Sequence, residues 1–195
     1  MNPWEEHHLW LETLGKQGKR ISCDEDDFHG QSFTDWSFES GYFAACDFHD
    51  SVFRKADFYC GKFYSCDFTN AFFEDCEFRK AVLNFSNFNG ATFVNCRFSR
   101  AEAQEAFFNQ CTFKDCVFGN VGIMNSEMVD AAFEDVDFDG AYFSQVSFPN
   151  ARFIRPKNIE GICSITGYIS KEKDPELIGD AELRRWIVKQ ASSTT

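Results

Sequence analysis

The chain has 195 residues, enough for one domain with a continuous core, and carries 31 acidic against 19 basic side chains. The resulting net charge of -12 disfavours direct binding to nucleic acid or anionic lipid, both of which need cationic contacts, and suits a basic partner. Phe occurs 25 times while Leu appears only at Leu9, Leu11, Leu14, Leu83, Leu177 and Leu183. That excess excludes an ordinary leucine-rich core and points to one structural slot used repeatedly.

Residues 1–20 balance three acids with three bases. Met1 to Gly15 has neither a basic n-region nor an apolar h-region, so no signal peptide is expected and a cytoplasmic location is the simplest expectation. No run approaches the roughly 18 apolar residues needed to cross a membrane. Trp4, Leu11 and Leu14, with His7 and His8 between them, predict a short helix stopped by Gly15 and Gly18.

From Phe28 to Phe153 every fifth residue is apolar, a run of 26 slots of which Phe fills 22. The departures are Leu83, Ala103, Ile123 and Met128, and only Phe72, Phe85 and Phe107 lie outside the register. Two residues before each central slot, from Gly41 to Ala151, every occupant is Gly, Ala, Ser, Cys or Val. A period of five matches neither an α-helix nor a flat strand. It fits a chain that turns one corner every five residues, so that four sides make a coil of about 20 residues stacked at the strand spacing of about 4.8 Å. Central and small residues then both point inward, and the phenylalanines stack as ladders that leave no channel.

The runs Ala71-Phe72-Phe73-Glu74-Asp75, Cys76-Glu77-Phe78-Arg79-Lys80 and Ala91-Thr92-Phe93-Val94-Asn95 resemble the pentapeptide-repeat family, whose pattern is Ala-Asp/Asn-Leu/Phe-X-X. The stretch from Trp10 through Gly15 to Arg20 is similar to the lead-in of many bacterial members. The resemblance implies an all-β solenoid: a right-handed quadrilateral β-helix over residues 26–153, with helical caps at 1–25 and 154–195.

Counting in twenties assigns each central residue to a side. The first side holds Phe28 through Phe148 with Met128. The second runs from Phe33 to Phe153 and the third from Phe38 to Phe138, all Phe. The fourth holds Phe43, Phe63, Leu83, Ala103, Ile123 and Phe143. Ala103 predicts a gap, filled by Phe107 and Phe108 or else expressed as a bend that shapes a binding surface. Cys46, Cys66, Cys76, Cys96, Cys111 and Cys116 occupy small slots and are expected to be reduced and buried. A straight ladder of thiols does not converge as a zinc site requires. Cys60 and Cys163 fall outside the pattern. Asp26, Gln31 and Trp36 fit the small slot badly, so the first coil is expected to be irregular.

Residues 21–153 hold 22 acids against 9 bases. Asp47, Asp67 and Glu127, with Asp50 and Asp130, are expected to face outward on the first side. Asp75, Asp115 and Asp135 are expected to form a column on the second. These eight are the candidate partner-binding residues, while the third side carries Arg79, Lys80, Arg97 and Arg100. About six and a half coils span about 31 Å, a length of duplex DNA with roughly 18 phosphates. The acidity reads either as mimicry of that charge or as a device for solubility.

After Phe153 the register fails, Pro156 interrupts, and Ile159, Ile162, Ile165 and Ile169 predict a short extended cap. From Asp180, read as an N-cap, a helix places Leu183, Trp186 and Ile187 on one stripe. That stripe either docks on the last coil or pairs two copies, as resemblance to the quinolone-resistance members implies for a homodimer joined at its C-terminal end.

Neither a recognisable nucleophile–base pair nor a phosphate loop, cofactor motif or metal motif appears, so a non-enzymatic binding protein is expected. Its role is either a rigid acidic scaffold or regulatory partner, or, by family resemblance, a DNA mimic that binds type II topoisomerases and protects them from quinolones or related toxins.

Overall fold

The computed structural model describes residues 2–170 and 177–192. Between its two helices lies a parallel right-handed β-solenoid of about seven turns. Residues twenty apart pair on successive coils, for example Ser32 with Val52, Val52 with Phe72 and Phe72 with Thr92. The second side is an unbroken seven-stranded sheet, and short strands on the fourth side form a three-stranded and a four-stranded sheet. The first and third sides touch the next coil through single bridges such as Asp47 with Asp67 and Asp57 with Glu77.

The corners explain why the period is five. Every residue whose number is a multiple of five, from Glu25 to Arg155, has a positive φ. That left-handed kink reverses the side-chain direction after each three-residue strand. It costs an ordinary L-residue roughly 1–2 kcal/mol and is easiest for Gly, Asn and Asp. These three types fill 14 of the 27 corners. After the first and third sides a hydrogen bond closes the corner as a turn, as from Gly41 N–H to the Phe38 carbonyl at 3.0 Å and from Ala71 N–H to the Phe68 carbonyl at 3.0 Å.

The interior is the aromatic ladder that the register predicts. Phe38 and Phe58 stack at 4.8 Å, as do Phe43 and Phe63, while Phe48 and Phe68 stack at 4.9 Å. The gap at Ala103 is closed only partly as expected: Phe108 borders it, but Phe107 does not. Phe107 points outward and is 40% exposed. Phe118 instead turns its ring 71° from Phe98 and 78° from Phe138, breaking a ladder that is stacked from Phe38 to Phe98. With Phe118 turned, a cavity of only about 10 Å³ remains beside Leu83, Ala103 and Ile123. Local repacking by a neighbouring ring thus replaces the missing one.

All nine cysteines are free. The thiols of Cys76, Cys96 and Cys116 donate to the carbonyls of Phe53, Phe73 and Phe93 at 3.5, 3.6 and 3.5 Å, which fixes their role as small buried fillers.

Both ends are covered. The N-terminal helix α1, Pro3–Glu12, opens on Asn2, whose side chain accepts from Trp4 N–H and Glu5 N–H while Glu5 accepts from Asn2 N–H. Trp4 packs against Phe28, Trp36, Phe38 and Phe43. Leu14 lies beyond the helix, 88% exposed, so it takes no part in the buried stripe. The first coil is regular, contrary to expectation. Ser22–Asp24 pairs with Tyr42–Ala44, so the register extends back to Cys23 in a central slot and Ile21 in a small one. Asp26, Gln31 and Trp36 are tolerated because they lie at the exposed rim.

At the other end Ser164–Tyr168 pairs with Tyr142–Ser147 and brings Ile165 against Phe143, twenty-two residues on instead of twenty. A short turn at Ile159–Gly161 takes up the difference. The second helix α2, Asp180–Ser192, begins at Asp180 itself rather than after it, and the Asp180 carboxylate pairs with Arg184 at 2.9 Å. Leu183 and Ile187 are buried, and Trp186 meets Phe153 edge-on at 5.9 Å. Arg184 donates to the Ile159 carbonyl at 2.8 Å and to the Ile162 carbonyl. The apolar stripe docks on the last coil within a single chain.

Candidate functional site

The eight candidate acids lie on the outer surface, but in separate groups, and most have a local hydrogen-bonding task. Asp47 and Asp67 directly precede a central Phe, and each carboxylate accepts the N–H of the second residue on: His49 at 3.0 Å and Thr69 at 2.9 Å. Asp27, Asp57, Glu77 and Asp137 do the same for His29, Tyr59, Arg79 and Asp139. The acid before the ring therefore caps the turn after it. The recurring Asp-Phe-X triplet carried this signal in the sequence.

Corner acids are held by residues one coil away. Asp50 accepts from Asn70 at 3.2 Å, Asp130 from Asn150 at 2.8 Å and Asp75 from Asn95 at 2.6 Å. Asp135 pairs with Arg155 at 2.5 Å, a hydrogen-bonded contact that holds its carboxyl below the usual range. Glu127 accepts from Asn109 at 2.8 Å. Asp115 is exposed and has no ion pair among the described residues. The expected column on the second side is thus a corner column in which Asn95 separates Asp75 from Asp115 and Arg155 neutralises its end. Asp47, Asp50 and Asp67 adjoin one another near the start, whereas Glu127 and Asp130 lie four coils further along.

His29 and His49, which no sequence motif marks, form a pair on the first side. Their rings stack at 4.9 Å, and each Nδ1 lies 2.7 Å from its own Asp27 or Asp47 carboxylate. The hydrogen bond to Asp47 raises the His49 pKa, and the His29 backbone N–H, with the ring bond second, lowers that of Asp27. His7 is buried on the face of α1 that meets the first coil. Its Nδ1 accepts from Ile21 N–H at 3.2 Å, and burial lowers its pKa.

Two grooves mark the surface. One, of about 560 Å³, is the apolar seam between α1 and the first coil, lined by Trp4, His8, Leu11 and Trp36. The other, of about 420 Å³, lies on the third side and is lined by Tyr59, Arg79, Lys80, Ser99, Arg100 and Asn120. Among the described residues no cluster could hold a metal ion, and no helix is long and apolar enough to cross a membrane.

Comparison with known proteins agrees with this architecture. The family described as pentapeptide repeats matches in eight copies, over residues 37–70, 76–115 and 126–155. No curated protein matches the sequence. Among solved structures, a pentapeptide-repeat protein from the cyanobacterium Cyanothece 51142 is similar at 8% identity and a TM-score of 0.36, covering 78% of this chain and 97% of its own. Full-length QnrB1, a plasmid-mediated fluoroquinolone resistance protein, is similar at 15% identity and a TM-score of 0.31, covering 87% of this chain and 97% of its own. With the repeat matched over more than half its length and the same period visible in every corner, the chain belongs to the pentapeptide-repeat family.

Proposed function

We propose that the protein is a non-enzymatic binding scaffold whose acidic outer surface meets a basic surface on a protein partner. The observation that carries this reading is the fixing of the carboxylates. Backbone N–H groups, Asn amides and neighbouring coils hold them at set positions, so that a charge of -13 over residues 21–153 is displayed on a rigid frame. A preorganised charged surface loses little conformational entropy on binding and steers association electrostatically.

The test is affinity capture with the wild type, with Asp47→Asn/Asp67→Asn/Asp115→Asn, and with Trp186→Ala. Asn keeps the Oδ1 acceptor and accepts a corner conformation, so the first variant removes charge and little else. Partners lost from the Asn variant and kept by Trp186→Ala support the acidic surface. Equal recovery on both assigns binding elsewhere.

A second reading is favoured by the spacing of Asp27, Asp47 and Asp67, bridged one above another on the first side. Such a row, on a rod about 30 Å long, would offer a DNA-binding groove, such as that of a type II topoisomerase, a line of negative charge in place of phosphates. Titration of a gyrase supercoiling assay, with and without a fluoroquinolone, separates the two. Protection or inhibition that weakens on Asp27→Asn/Asp47→Asn/Asp67→Asn supports the mimic, and an unaffected enzyme leaves the scaffold.

A further inference from the structure

The third side carries a cluster of cations within a solenoid whose net charge is negative. On two adjoining coils it presents Arg79, Lys80, Arg97 and Arg100, and among the described residues Glu77 is the one carboxylate paired with them, at 2.8 Å from Arg79 and 3.1 Å from Arg97. Lys80 and Arg100 have no carboxylate partner among the described residues. The Lys80 ammonium donates to the Tyr59 hydroxyl at 3.1 Å and lies 5.3 Å from the centre of that ring, with the Arg79 guanidinium 5.6 Å from it.

This arrangement is costly in two ways. Lys80 and Arg100 stand at the same corner of successive coils, with φ of 57° and 61°, a conformation better suited to Asn, Asp or Gly. They also set like charges one strand spacing apart, which destabilises a ladder. The third-side corner goes on to Asn120 and Gly140, so the frame accepts neutral corner residues at that position.

We propose that the groove between Tyr59 and Asn120 binds a phosphoryl group, carried either by a small phosphorylated molecule or by a phosphorylated side chain of a protein. No carboxylate lines the groove, while two guanidinium groups, one ammonium, the Ser99 hydroxyl and the Asn120 amide do. Such a donor set matches a compact dianion with several acceptor oxygens. The volume of about 420 Å³ leaves room for the moiety that bears the phosphate. An extended polyanion is disfavoured, because the cationic patch spans only two coils and its corner continues to Cys60 on one side and to Asn120 and Gly140 on the other, none of them basic. The site is separate from the acidic surface proposed above and does not depend on it.

The experiment is amide NMR titration of the full chain with phenyl phosphate, with a blocked phosphoserine peptide, with the same peptide lacking phosphate and with a short single-stranded DNA. The comparison protein is Lys80→Asn/Arg100→Asn, which suits the corner conformation and is expected to melt no lower than the wild type. The site predicts saturable shifts centred on residues 79–80 and 99–100 with both phosphoryl probes, weakened at least about tenfold in the variant. Tighter binding of the peptide than of phenyl phosphate identifies a phosphorylated protein as the source, and the reverse order a small molecule. The proposal is overturned if neither phosphoryl probe saturates, if the variant binds equally, or if DNA binds the groove more tightly than both.

Discussion

Leu183→Ala is the sharpest probe of how the C-terminal end is built. Leu183 is 0% exposed, on the helix face that covers the last coil beside Trp186 and Phe153. Truncating a leucine so enclosed costs about 3 kcal/mol, from lost transfer energy and the cavity left behind. For a chain of this size that corresponds to a melting point lower by about 6–12 °C if unfolding is cooperative. Solenoid energetics are dominated by nearest-neighbour contacts, so the loss should appear first as fraying of the final coil. Hydrogen exchange at the amides of Ser164–Tyr168 reads that directly, alongside urea unfolding followed by circular dichroism. Because the stripe is covered within one chain, the wild-type midpoint should not move over an about hundredfold range of protein concentration. A variant that melts with the wild type would refute the docking. So would a wild-type midpoint that rises with concentration and loses that dependence in the variant.

Other consequences follow from particular residues. Phe85 sits at a corner with φ of 62° and is 45% exposed, so Phe85→Asn should stabilise by about 1 kcal/mol in urea unfolding, and a β-branched replacement should destabilise. Cys163 is exposed and Cys60 half-buried, whereas the other seven thiols are buried, with burial raising Cys23 to about 12 and holding Cys96 and Cys111 above the ordinary range. A disulfide reagent should therefore titrate two thiols in native protein and the rest only in denaturant. His7 binds a proton less readily folded than its unfolded value of 6.5. Its contribution is therefore complete above pH 6.5 and lost as pH falls through the lower folded pKa. Thermal melts should show that loss in the wild type and not in His7→Ala.

The period of five was legible because burial enforces it: one inward ring and one small residue per side leave little freedom of choice. Positions that face outward obey local backbone chemistry, which a count of charges does not reveal. Asp47 and Asp67 read as surface charge, yet each closes a turn. Asp75 and Asp135 read as a column, yet Asn95 and Arg155 from the next coil occupy them. The left-handed corners were also hidden, since residues as different as Ala45, Lys55 and Phe85 adopt them. There the stacked coils impose the conformation and outweigh the residue's own preference. Phe107 illustrates the same limit inside the core. Its proximity in sequence made it the expected filler for Ala103, whereas Phe118, fifteen residues on, could reach the space by turning in place. The cap stripe was legible as amphipathic, but only the packing of Trp186 on Phe153 shows what it covers.

Whether the carboxylates form a binding surface is tested most directly by one measurement. The partner recovered by capture would be purified and its affinity measured by calorimetry for the wild type and for Asp47→Asn/Asp67→Asn/Asp115→Asn, at low and at physiological salt. A carboxylate binding surface predicts an affinity that falls at least about tenfold on neutralisation, and a salt dependence that is shallower in the variant. Equal affinities with equal salt dependence would contradict it, and would leave the acids with turn closure and solubility as their only tasks.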